Sequence, residues 1–125
     1  MIRFFKKIFW VRGAISFNED KKEDIEKTVL KFINAFQTKY KIKSNDILVI
    51  FIIAPKNLTS SYPCTFLRKN GFTFPCITSS DILIKDTPQN ILRFLIQCKS
   101  YKKPEDLYLD DAVSLRDKID KLIDS

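Results

Sequence analysis

At 125 residues, with 45% apolar side chains and only two glycines, the chain is long enough to bury a core without disulfides or metals, and its composition excludes a disordered or fibrous protein. Twenty-two basic residues against fifteen acids give a net charge of +7, which favours anionic partners, whether nucleic acid, acidic lipid or a small polycarboxylate. The lack of histidine removes serine–histidine and cysteine–histidine catalysis, most zinc sites and the usual neutral-pH proton shuttle.

In chain order, "MIRFFKKIFW" is apolar but cut by Lys6 and Lys7, so it predicts neither a signal peptide nor a membrane span. Residues 1–6 read as a frayed lead into a strand over Lys7–Ser16, in preference to an amphipathic membrane contact. That strand carries "VRGAIS", with Gly13 expected to let the chain turn at its end without crowding Arg12. From about Asp20 to Tyr40, Ile25, Val29, Phe32, Ile33 and Phe36 recur at helical spacing, and lysines and acids fill the other side. "ILVIFIIA", Ile47 to Ala54, is a β-branched run stopped by Pro55, as for a central strand buried on both faces.

"SYPCTFLRKNG" predicts a short helix with Ser60 or Ser61 as N-cap, Pro63 in the first turn and Gly71 beyond its end. Phe72–Thr78 reads as a strand at an edge or bulge, because Pro75 cannot donate to a ladder. "SSDILIKDTPQN" is a connection whose middle is a candidate for extra pairing. Ile91–Lys99 and Asp106–Leu109 follow as strands, and 117–125 reads as a mobile charged tail. The three cysteines, odd in number, without metal-ligand spacing and in apolar surroundings, read as reduced core thiols of a cytosolic protein. The order β-α-β-α-β-β-β predicts one α+β domain over 1–125: a mixed β-sheet with one long amphipathic helix and a short second helix.

The basic residues divide unevenly into 17 lysines and five arginines, Arg3, Arg12, Arg68, Arg93 and Arg116. Arginine kept where lysine is otherwise used suggests positions that need the planar fork for carboxylate or phosphate; codon bias leaving a few arginines is the bland alternative. Arg93 is the hardest to explain blandly. Between Leu92 and Phe94 it either faces solvent on an alternating strand or faces a polar cavity that supplies an anion. Asp81 alone reads as a turn former, and Tyr108 as a half-buried strand tyrosine.

Taken in order, "VRGAIS", "YPCTFLR" before a glycine and an "FP" strand, an acid shortly after, "ILRFL" and "LYLDDAVSLR" resemble the monofunctional AroH-type chorismate mutases over roughly Val11 to Asp117. The resemblance implies a homotrimeric pseudo-barrel with active sites in clefts between neighbouring subunits. It also implies rearrangement of chorismate to prephenate, on the route to phenylalanine and tyrosine, with no cofactor, metal or covalent intermediate. By position, Arg93 matches the arginine at the ether oxygen, Arg12 the one that grips the side-chain carboxylate, and Tyr108 the tyrosine assisting it. Asp81 falls where a glutamate bonds the ring hydroxyl, and Arg68 and Arg116 match cations at the cleft mouth. Tyr62 and Leu115 match the apolar walls, and Ile77 and Thr78 follow the strand whose backbone lines the pocket.

The chain departs from that pattern at Asp81, one methylene shorter than glutamate, at Thr65 in place of a lysine and at Thr78 in place of a cysteine. Asp81 and Thr65 motivate an alternative, a non-catalytic metabolite-binding relative. The charge and the eleven phenylalanines motivate a basic anion- or RNA-binding module. Against nucleic acid, the lysines are scattered and no aromatic-plus-arginine signature occurs. A cytoplasmic enzyme with neither a nucleic-acid nor a membrane partner is the resulting expectation.

Overall fold

The computed structural model describes residues 5–114. Five strands form one mixed sheet: β1 (Lys7–Ser16), β2 (Ile47–Ala54), β3 (Cys76–Ser80), β4 (Ile91–Ser100) and β5 (Leu107–Leu109), in the order β3-β2-β4-β1-β5. β4 runs antiparallel to β1 and β2, while the outer strands β3 and β5 run parallel to their neighbours. Helices α1 (Lys22–Tyr40) and α2 (Pro63–Lys69) cover one face. Both expected helices and all five expected strands are present.

The core lies under α1, where Phe32 stacks on Phe94 with ring centroids 3.9 Å apart. Val11, Ile15, Ile50, Ile52, Leu92 and Ile96 close around them. Strand alternation sends the other residues to the opposite face, which no helix covers among the described residues. β2 therefore differs from the expectation of burial on both faces: Ile50 and Ile52 are buried, but Phe51 and Ile53 are only half-buried. No described helix is long and apolar enough to cross a membrane.

Local boundaries depart from the sequence reading for identifiable reasons. Gly13 is not a turn residue, because β1 continues to Ser16. It lies on the core face, where a Cβ would overlap Phe32 and come within 2.9 Å of the Leu107 carbonyl oxygen. α1 starts at Lys22, two residues late, and Asp20 holds a different segment: its carboxylate accepts from Thr59 N–H (2.9 Å) and Ser60 N–H (3.1 Å). The Ser60 and Ser61 hydroxyls pair with each other at 3.2 Å, and α2 starts beyond both, with Tyr62 at its N-cap position and no side-chain bond there. The far end of α2 closes as a Schellman turn: Gly71, at φ +90°, donates to the Arg68 carbonyl, and Phe72 to the Leu67 carbonyl.

β3 begins four residues later than expected. Pro75 offers only its carbonyl, to Ile50 N–H at 2.9 Å, and Phe72 and Phe74 pack on the core before the ladder starts. β3 is an edge strand, as Pro75 predicts. The middle of 81–90 forms turns and adds no strand. The reduced-thiol expectation is corrected at two of three cysteines. The core-facing Cys76 of β3 comes under the first turn of α2, with its Cα 5.8 Å from that of Cys64, and the two form a disulfide. Cys98 is free and buried.

Candidate functional site

The sheet register sets the site. Arg93 on β4 is flanked by Ile53 on β2 and Ala14 on β1, and Ala14 is flanked in turn by Tyr108 on β5. Arg93 and Tyr108 therefore belong to one row on the uncovered face, two strand spacings or about 10 Å apart at the backbone. The small Ala14 between them lets Tyr108 lean inward, packing with Ala14, Ile91 and Ala112. Arg12 is two residues along β1 from Ala14 and so shares that face.

Arg93 neither projects freely into solvent nor lies unpaired: its Nη2 donates to Asp81 Oδ2 in a half-buried ion pair. Asp81 follows β3 directly. Its N–H donates to the Ala54 carbonyl (2.8 Å), and its other carboxylate oxygen accepts from Ile82 N–H (2.9 Å), which fixes the side chain at the sheet's end. The shorter aspartate thus spends its reach on the arginine. A guanidinium carries five donors, so pairing at Nη2 leaves others for a ligand. Beside the pair opens a cleft of about 280 Å³, lined by Pro55, Ile82, Ile84, Thr87, Gln89 and Ile91 as well.

Pro55 also lines a second cleft, of about 490 Å³, across the end of β2. Its walls include Tyr62, Thr78 and the hydroxyls of Thr59, Ser60, Ser61 and Ser80. Of the expected residues on this side, Tyr62 is exposed beside α2, and Thr78 turns inward to accept from Cys64 N–H at 3.3 Å. Ile77 projects onto the uncovered face, and Arg68 on α2 donates to Thr65 Oγ1 at 3.4 Å. The threonine that departs from the resemblance thus braces the neighbouring cation.

The expected residues form two groups: Arg93, Asp81, Tyr108 and Arg12 on one side, and Tyr62, Arg68, Ile77 and Thr78 on the other. The register aligns Ile77, Phe51, Leu95 and Arg12 in one row, so Ile77 and Arg12 are three strand spacings, about 14 Å, apart. Leu115 and Arg116 lie outside the described residues.

Two contributors were not foreseen. Asp106 accepts from Arg12 N–H (3.0 Å) and pairs with its guanidinium at 3.4 Å, fastening an otherwise exposed arginine at the start of β5. Asp20 pins the loop that floors the second cleft. Burial works to raise the Asp20 carboxyl, but the bonds from Ser60 and Thr59 outweigh it and hold it below its ordinary value. The acid preceding a strand in "PEDLYL" was a weak signal for Asp106; nothing in the pattern linked Asp20 to residues 59 and 60.

Fold and clefts together define an α+β protein that presents guanidinium groups on the open face of a mixed sheet, a chemistry suited to holding a small anion. The sequence profile of "Chorismate mutase type I" matches residues 8–119, and the chain belongs to that family. The activity that goes with membership is the isomerisation of chorismate to prephenate. The chain also superposes on the solved chorismate mutase from Clostridium thermocellum with a TM-score of 0.79 at 19% identity, over 85% of this chain and 98% of that one, which supports the fold. No curated protein sequence matches it significantly.

Proposed function

We propose that Arg93 is the catalytic cation of this mutase, acting on chorismate held by Arg12 and Tyr108. The reaction is intramolecular: the ether C–O bond breaks, a C–C bond forms, and no proton leaves the substrate. Bond breaking runs ahead, so negative charge builds on the ether oxygen. A cation fixed beside that oxygen interacts more strongly with the transition state than with the ground state and lowers the barrier. Two carboxylates held by separate guanidinium groups restrain the substrate in the folded conformer that brings the reacting carbons together. Asp81 keeps Arg93 aimed into the cleft and accepts the ring hydroxyl of the bound substrate. The observation that carries this reading is the Arg93–Asp81 pair set in a cleft at the end of the sheet.

We further infer that the enzyme is a homotrimer whose sites lie between neighbouring subunits, with the sheets arranged as a pseudo-barrel and the protein cytoplasmic. Two observations support the assembly. Trp10, Ile8 and Ile77 are about half-exposed on the uncovered face, a cost a second copy would remove. The 14 Å between the Arg12 and Ile77 positions suits two walls supplied by different copies better than one pocket within a single chain. Arg68 and Arg116 then guard the mouth, and Tyr62, Leu115 and the β3 backbone at Ile77 and Thr78 form the far wall.

The test is consumption of chorismate by the purified protein, followed by loss of its ultraviolet absorbance, with sedimentation alongside. Turnover by a trimer is expected. Tight binding of a bicyclic transition-state analogue without turnover would overturn the catalytic reading, and a monomer that turns over would overturn the shared site.

A further inference from the structure

Cys64, in the first turn of α2, and Cys76, the first residue of β3, are joined by the disulfide described above. We propose that this bond is a reversible positioning tie for the Tyr62–Thr78 wall of the substrate site, made and broken by thiol–disulfide exchange. The proposal rests on the mutase reading for the identity of the substrate.

The two linked elements carry every described residue of that wall. Tyr62 precedes α2, Arg68 lies on it, and Ile77 and Thr78 immediately follow Cys76. At the front of the helix Tyr62 supplies no side-chain cap; besides the burial of Pro63 and Cys64 and the Asp20 bonds to Thr59 and Ser60 upstream, the ties to β3 are the disulfide and the 3.3 Å bond from Cys64 N–H to Thr78. The rear is anchored independently, by Phe66 and Leu67 in the core, the Schellman turn at Gly71 and the Lys69–Glu26 pair. Opening the tie therefore leaves the fold standing and frees the end of α2 where Tyr62 begins.

The chemistry is confined to this pair. Cys76 is the less buried of the two, which makes its sulfur the expected point of attack by a thiolate; attack releases Cys64 as a thiolate that takes up a proton, and a second thiol resolves the mixed disulfide. In reverse, the two cysteine thiols close while a small-molecule disulfide is reduced to two thiols. Burial pushes the third thiol, Cys98, up to about 11, which keeps it out of exchange at neutral pH. In a reducing compartment disulfides are mostly transient, catalytic or redox-sensing, which agrees with a tie that opens.

Thiol titration of the unfolded protein should find one free thiol before reduction and three after it. Chorismate kinetics in the two states should separate binding from chemistry. Reduction is expected to raise KM roughly 3- to 10-fold and to leave kcat within about 2-fold, because the loosened wall contacts substrate while Arg93 is untouched. A small disulfide should restore the low KM. Cys76→Ser should show the high KM in both buffers, and because Cys76 is less buried than Cys64 it is the safer variant to fold. The same KM at one and at three free thiols would overturn the tie, as would three thiols before reduction. Trypsin cleavage after the exposed Lys56 supplies a readout independent of catalysis. Faster cleavage on reduction without turnover in either state would leave the tie standing and sink the mutase reading.

Discussion

On the face under α1, the strands present Val11, Ile15, Ile50, Ile52, Phe94 and Ile96 to Phe32 and Phe36. The opposite face presents Trp10, Arg12, Phe51, Ile77, Arg93 and Leu95, without a helix above them among the described residues. The same backbone ladders hold both sets, so the difference lies in what covers them. The helix face is filled to contact within one chain and specifies the fold. The open face keeps its cations on short leashes, Arg93 to Asp81 and Arg12 to Asp106, and leaves apolar area for another molecule. Stability and chemistry are thus separated by the two-residue alternation of a strand.

The largest expected effect tests the covered face. Phe32→Ala removes the ring that stacks on Phe94 and fills the space above Gly13. It should destabilise the protein by about 3–5 kcal/mol, read from the denaturant midpoint. A loss below about 1 kcal/mol would mean that this face is not the packed one.

Next comes the open face. Arg93→Ala should lower kcat/KM roughly 10²- to 10³-fold, the usual loss when one fixed electrostatic stabiliser is removed. Arg93→Lys should recover only part of this, since an ammonium cannot keep Asp81 and address the ether oxygen in the same geometry. The unfolding midpoint should hardly move, because the side chain is partly exposed. If Arg93→Ala unfolds the protein and leaves the remaining folded enzyme fully active, the separation between the faces fails.

Trp10 probes the cover itself. It is about half-exposed, its ring 6.4 Å from that of Phe51, and it belongs to neither cleft. Trp10→Asp sets a charge in the proposed contact, where burying a large apolar side chain is worth about 1.5–3 kcal/mol. Sedimentation should shift from trimer to monomer, with activity falling in step at low protein concentration. A variant that stays assembled would mean that another part of the open face makes the interface.

The sequence read well where one residue's chemistry decided the outcome. The helical recurrence of Ile25, Val29, Phe32 and Phe36 predicted α1, Pro75 predicted an edge strand, and the position of Arg93 within an apolar run posed the question that Asp81 answers. What escaped it depended on register. β2 looked doubly buried because its residues are apolar throughout, and only the layering shows that both described helices pack on its other face and leave Phe51 and Ile53 half-buried. Gly13 looked like a turn because its constraint, the Phe32 ring, comes from a helix 19 residues away in the chain. The disulfide was hidden likewise, since a parallel pairing beneath α2 brings Cys76 to Cys64.

Asp20 carries the smallest effect and belongs to the rim between the two regions, where it ties the start of α1 to the floor of the second cleft through Thr59 and Ser60. Its folded carboxyl titrates below the ordinary value, so it stabilises the fold at pH values above about 4, where the unfolded carboxyl is ionised too. The contribution is lost as pH falls from there through the lower folded value. Because the group is solvent-exposed, it should amount to no more than about 1 kcal/mol. Asp20→Asn, which cannot ionise, should flatten that part of the acid-stability curve and raise KM slightly at neutral pH by loosening residues 55–62, with kcat unchanged. An acid limb identical in Asp20→Asn and the parent would assign the pH dependence to another carboxylate.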